Sequence, residues 1–295
     1  MTEPTRRIFT LALALTPGVG GKTITRILTR NDLFGRTVSD FLEYGPEILR
    51  EEYRMSAKSA EFWSTQKQAI IKEAEEMQKK LDPFGIRLVT LADATYPQQI
   101  ELMDNDPPGM FYLYGNQRLL DSASFAVLCS RKSGEDELRS IEKLAEEGVL
   151  AGKTLISGHD TPEYQRSAIV PLRWGAPRIL VLDQGLFKAL GKDLKEEPFR
   201  AARLWRYQFD PRTDLAISMN NPFGDFHPNG NRVRDRLVAC LAGSIDVVNA
   251  NPNGNMHKLA ISALRAGRQV RVVQGSATAD HLASLGAKVI EFDAE

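Results

Sequence analysis

Beyond residue 117, short runs dense in Val, Ile and Leu recur at intervals of roughly 25 to 35 residues. They fall at 125–129, 154–156, 178–182, 215–218, 246–249, 270–273 and 288–292. Each is nearly continuous in apolar residues rather than alternating, the pattern of a strand covered on both faces. Stretches with helical period lie between them, including 135–147, 199–209, 233–242, 256–266 and 279–285. Strand and helix in alternation predict an α/β fold with a doubly wound, mostly parallel sheet.

The first part of the chain reads differently. Residues 3–81 have helical character without strand-like alternation, and 56–81, rich in Ala, Glu, Lys and Gln, is the clearest single helix. After it, Gly85, Pro97, Pro107 and Pro108 punctuate short extended pieces, as expected of a connector hugging a sheet. The expected organisation is a small all-helical domain over 1–83, a connector over 84–116 and the sheet domain over 117–295. The opening LALALTPGVGGKTITRIL fits two helices joined by a glycine hairpin. The hairpin amides could touch a nucleic-acid phosphate, or the hairpin could simply turn the chain. A Walker reading of TPGVGGKT fails, because Thr16 stands at the required first glycine and helical LALAL precedes it in place of a strand.

Composition narrows the class. A length of 295 residues can bury a large core, and 42% apolar with 26% charged residues is ordinary for a soluble globular protein. The 38 basic and 38 acidic side chains cancel, so any polyanion must be drawn by a local patch. Cys129 and Cys240 both sit in apolar runs and read as buried free thiols in a reducing compartment. No stretch approaches eighteen apolar residues, and the expected location is cytoplasmic.

Candidate chemistry concentrates where strands hand over to helices: CSRKSG after 129, SGHD from 157, DQG from 183 and NPNGN from 251. In a parallel sheet these turns share one edge, so Ser130, Arg131, Lys132, Ser157, Gly158, Asn253, Gly254 and Asn255 would converge on one crevice. Helix-start amides, hydroxyls and the Arg131 guanidinium then suit a phosphate. Such Ser-Gly and Asn-Gly turns also occur for purely structural reasons. Arg234 and Arg236 flank Asp235 on the following helix, where they are either phosphate ligands or salt-bridged surface. Lys258, one turn into the helix after Asn255, could help hold a phosphate or be solvated. Histidines 159, 227, 257 and 281 lack metal-ligand spacing, and neither a GxSxG elbow nor a nucleophile with its base is evident. No metal, cofactor or catalytic constellation is therefore expected.

In order, LTPGVGGKT, YPQQIELMDNDPPGMFYLYGN, FAVLCSRKSG, LISGHD, ILVLDQGL, RDRLVACLAGSIDVVNA and NPNGNMHKLAISALRAGRQVRVVQG resemble the DprA/Smf family of bacterial DNA-processing proteins. That family lies in a wider Rossmann-like group that includes the LOG nucleotide hydrolases. The resemblance implies a Rossmann-like core that binds single-stranded DNA, forms homodimers and hands DNA to a RecA-type recombinase. By position it carries phosphate binding onto Ser130 and Arg131, Ser157 and Gly158, Arg234 and Arg236, and Asn253, Gly254 and Asn255, with Lys188 as a further candidate. The chain departs from the family pattern in several places. Cys129 replaces a glycine, the Gly-Ile-Asp run after Gly158 is missing, Asp235 replaces an asparagine, and Asn-Gly-Asn replaces Ser-Gly-Ser. The chain also ends soon after its last strand, leaving no room for a C-terminal winged helix, so a divergent paralogue is expected.

Three functions compete. The first is single-stranded DNA binding in DNA processing and recombination. The second is restraint of a toxin encoded nearby, as in phage defence, suggested by the neutral charge and degenerate motifs. The third is LOG-like nucleotide binding or hydrolysis, for which Glu163 is the acid available to replace the missing one.

Overall fold

Thr5, Thr37 and Ser56 each stand extended before a helix and accept a hydrogen bond from the backbone amide three residues on. They open α1 (Arg6–Leu15), α3 (Val38–Glu43) and α5 (Ala57–Leu81), with α2 (Gly21–Phe34) and α4 (Pro46–Glu51) between. The computed structural model describes residues 4–225 and 230–291. Its chain divides into two compact units, Met1–Tyr96 with Pro108–Tyr112, and Pro97–Pro107 with Leu113–Glu295.

In the smaller unit the apolar faces of these helices close on Phe9, Phe41, Tyr53 and Trp63. Phe41 meets Phe9 edge-on at 5.1 Å, Tyr53 at 4.9 Å and Trp63 at 5.7 Å between ring centroids. Each fully buried ring of this kind stabilises by about 1.5–3 kcal/mol. Gly21, the first residue of α2, packs its backbone on Gly109, where a Cβ on either residue would sit within about 2.5 Å of the other. Two strands occur in the region read as a connector: β1 (Arg87–Thr90) lies beside β2 (Met110–Gly115).

The larger unit begins with α6 (Gln98–Met103) and then alternates strand and helix: β3 (Ser124–Cys129), α7 (Glu135–Leu150), β4 (Thr154–Ser157), α8 (Pro162–Trp174), β5 (Arg178–Leu182) and α9 (Leu186–Ala189). It continues with β6 (Leu215–Ser218), α10 (Gly230–Leu241), β7 (Ser244–Asn249), α11 (Asn255–Arg265), β8 (Gln269–Val273), α12 (Ala279–Ser284) and β9 (Lys288–Ile290). Strand order is β6-β5-β4-β3-β7-β8-β9, and each neighbouring pair is parallel. Two directions of winding follow from that order. From β3 the chain steps outward through β4, β5 and β6, and from β7 it steps the opposite way. Right-handed crossovers therefore place α7 and α8 on one face and α11 on the other. On the first face Phe125, Val127 and Cys129 meet Ile141, Leu144, Leu155 and Val170. This is the doubly wound, mostly parallel Rossmann-like sheet expected from the sequence, preceded by a helical region.

Three local expectations need correction. Residues 199–209 form only a 3-10 turn at Arg200–Leu204, because Arg206 is drawn into a buried ionic cluster with Glu197 and Asp214. A helix not read from the sequence, α8, joins β4 to β5, with Pro162 at its start and Pro171 in its last turn. Finally, α10 starts at Gly230 rather than near 233, which places Asn231 and Arg232 in its first turn. Among the described residues, no helix is long and apolar enough to cross a membrane.

Candidate functional site

Reversal of the winding between β3 and β7 leaves a crevice outside their carboxyl ends, the place where such sheets hold ligands. A groove of about 550 Å³ lies there, lined by Ser130, Arg131 and Lys132 after β3, Asn231, Arg232 and Asp235 of α10, and Asn251, Gly254, Asn255 and Met256 at the start of α11. The two strand ends are tied together across the crevice: Ser130 N–H donates to the Asn249 carbonyl at 2.8 Å, and Asn251 N–H donates to Ser130 Oγ at 2.9 Å. Lys132 and Asn253 both take left-handed backbone, at φ 70° and 60°. Asparagine tolerates that conformation; a lysine there is strained, as residues at binding sites often are.

Charge on the groove wall is mostly positive. Arg131 is half exposed, 3.9 Å from Asp160. Asn231 Oδ1 accepts from Arg131 Nη2 at 2.8 Å when its amide is oriented so that Nδ2 donates to Asp183 Oδ2 at 3.2 Å. Arg232 and Lys132 are exposed. The lining carboxylate, Asp235, is already answered from below by Arg234 Nε at 2.8 Å.

Arg234 is the main correction to the expected site. It is 0% exposed, so it cannot meet a phosphate chain as a surface cation. Its guanidinium pairs with Asp160 and Asp235 and lies over the Tyr164 ring, 4.7 Å from the centroid. Burial works against its charge, but Tyr164, Asp160 and Asp235 outweigh that and hold it firmly protonated. Asp235 also accepts from Tyr164 Oη and Asn255 Nδ2, each at 3.0 Å. This buried network is the floor of the groove. Ser157 and Gly158 belong to that floor too: Ser157 is buried, and a Cβ on Gly158 would fall 2.5 Å from Arg234 Nη1.

The amides at the start of α7, expected to face an anion, are taken by the protein's own carboxylates. Ser133 N–H donates to Glu163 Oε1 at 3.1 Å and Gly134 N–H to Glu137 Oε2 at 2.8 Å, which complements the positive helix end. Arg236 faces away from the groove and pairs with Asp104 near α6 at 2.5 Å. Lys188 pairs with Asp225 at 2.7 Å and does not line the groove, nor do Lys258 and Asn253, both exposed. The structure thus gathers Ser130, Arg131, Lys132, Gly254 and Asn255, and adds Asn231 and Arg232, which the sequence reading passed over. Their signal was the polar Gly-Asn-Arg at 230–232, the composition of a helix's first turn. His227 lies outside the described residues. Among the described residues, no group of three or more His, Cys, Asp or Glu is placed to hold a metal ion. Both cysteines are buried, and burial pushes their thiols up, Cys129 to about 11 and Cys240 to about 12.

A doubly wound sheet with a groove lined by Arg131, Lys132 and Arg232 at its switch point defines a protein of Rossmann-like fold. The chain belongs to the family of DNA recombination-mediator protein A, whose family model matches residues 87–295. It is similar in fold to DNA processing protein A from Streptococcus pneumoniae, with TM-score 0.68 and 19% identity over 98% of this chain and 95% of that one. DNA processing protein A from Helicobacter pylori, whose structure was described for its single-stranded DNA binding mode, matches with TM-score 0.53 and 17% identity over 70% of this chain and 91% of that one. A comparison with curated proteins found no match.

Proposed function

We propose that the groove between the ends of β3 and β7 holds the phosphates of single-stranded DNA, and that the chain acts in DNA recombination without itself cutting or joining the strand. One observation carries this reading: Arg131, Lys132 and Arg232, from two separate elements, line the same groove at the switch point, over a floor whose carboxylates are neutralised by Arg234. Family membership and the single-strand binding described for the Helicobacter relative support it. Phosphate contacts fix position and make affinity salt-dependent, and the exposed cations supply them. A second copy of the chain and a RecA-type recombinase are the partners this reading names, in the cytoplasm. Restraint of a toxin has no observation of the structure in its favour. LOG-like hydrolysis finds little support, since Glu163 is buried and bonded to the Ser133 amide.

The test is fluorescence anisotropy of a labelled single-stranded oligonucleotide at two salt concentrations. The wild type binds at low salt, and Arg131→Ala weakens binding to all sequences alike. Absence of wild-type binding at low salt overturns the proposal.

A further inference from the structure

The turn that closes one side of the groove is fixed from behind by two histidines. Asn253 N–H donates to His257 Nδ1 at 3.0 Å, and His257 Nε2 lies 3.0 Å from His281 Nδ1 on α12. Because Nδ1 of His257 accepts, its ring proton must sit on Nε2, and His281 Nδ1 must then be the acceptor. The arrangement holds one proton per ring. A second proton on His257 would set an N–H against the Asn253 N–H, and a proton on His281 Nδ1 would set two donors face to face. His257 is buried, so water cannot easily take the place of a lost partner.

We propose that His257 is a positioning residue for the groove: the neutral Asn253–His257–His281 relay holds the turn at 251–255 in its ligand-ready shape, and acid releases it and weakens binding. The binding readout rests on the function proposed above. Burial keeps His257 below the ordinary histidine range, and the charge of His281 adds to that effect. The other charged groups close to the pair in sequence are Lys258 on α11, which is exposed, and Asp280 on α12. A depressed histidine favours the relay above its ordinary value of about 6.5 and loses it as pH falls toward the lower folded value. This runs opposite to the simple expectation that protonated histidines tighten DNA binding.

The experiment combines oligonucleotide affinity at constant ionic strength, from about pH 8 down to about pH 5.5, with NMR of the ¹⁵N-labelled imidazoles and of the Asn253 amide. The wild type should show the Nε2–H tautomer at His257 and lose about fivefold in affinity across that range, on the scale of one hydrogen bond. His257→Asn keeps an acceptor for the Asn253 amide but cannot titrate. It should bind like the wild type at high pH and keep that affinity in acid. Wild-type affinity that is flat or rises in acid, or a His257→Asn profile that follows the wild type, overturns the proposal. If the wild type binds at no pH, the DNA reading falls, and hydrogen exchange of Asn253 decides the relay alone. Protection that drops in acid for the wild type but not for His257→Asn upholds it; equal behaviour sinks it.

Discussion

Arg131 and Arg234 both reach Asp160, yet they do opposite work. Arg234 is sealed under the groove between Asp160 and Asp235, whereas Arg131 has 55% of its side chain exposed. Removing a buried partner strands the other charges, at about 3–5 kcal/mol. Arg234→Leu should therefore shift the urea midpoint strongly, while Arg131→Ala moves stability by no more than about 0.5 kcal/mol and costs affinity instead. Gly158 tests the same packing from the other side: with Arg234 Nη1 2.5 Å from its would-be Cβ, Gly158→Ala overpacks the floor by about 1–3 kcal/mol in the same measurement. Nearby, burial would raise the Asp183 carboxyl, but His159 at 3.2 Å and the charge of Arg234 more than offset it and hold it below the usual range. Its stabilising effect is present above the unfolded value of about 3.9 and is lost as pH falls through the lower folded value. Asp183→Asn should flatten the acid limb of a stability–pH curve below about pH 4, as read by thermal melts.

At the scale of elements, α10 shows what a sequence can and cannot reveal. Its apolar positions at Leu237, Val238 and Leu241 are legible as a helix packing on a sheet. Its start is not, because Gly230, Asn231 and Arg232 carry no apolar period, and placing the start at 233 hides the first turn. Helical geometry then separates Arg232 and Arg234 by about 200° around the axis, one toward the groove and one into the floor. Alternating charge in the sequence says nothing about which is which without that register. The strands were legible for the converse reason: runs such as 179–182 and 215–217 are apolar at every position, the mark of a doubly covered strand. In contrast, α8 carries proline at both ends and breaks the pattern. A pair of variants checks the register directly. Arg232→Ala should lower the magnitude of the salt slope of oligonucleotide binding by about 0.7, and Arg236→Ala should leave it unchanged, since Arg236 is spent on Asp104.

Across the larger unit as a whole, the groove and the Arg178 ionic cluster sit at opposite ends of the strands. The carboxyl ends carry the groove. At the amino ends of β5 and β6, fully buried Arg178 meets Asp214 at 2.9 Å and Glu197 at 2.5 Å, and donates to the Ala168 carbonyl at 3.0 Å. Arg206 closes the cluster on Glu197 at 2.9 Å. Such a cluster contributes little net stability relative to apolar packing, but removing Arg178 takes the fully buried cation from two buried carboxylates and leaves them to share Arg206. Since the 38 basic and 38 acidic residues of the chain cancel, attraction of a polyanion calls for a local patch, and on the function proposed above, with the groove as that patch, loss of a cation elsewhere should not alter it. Arg178→Ala should destabilise by about 3–5 kcal/mol in urea titrations. The molecules that remain folded should bind single-stranded DNA with unchanged affinity and an unchanged salt slope, of magnitude about 2 for three phosphate contacts. A fall in slope together with stability would mean that the amino edge also touches the strand, and that the groove is only part of its path.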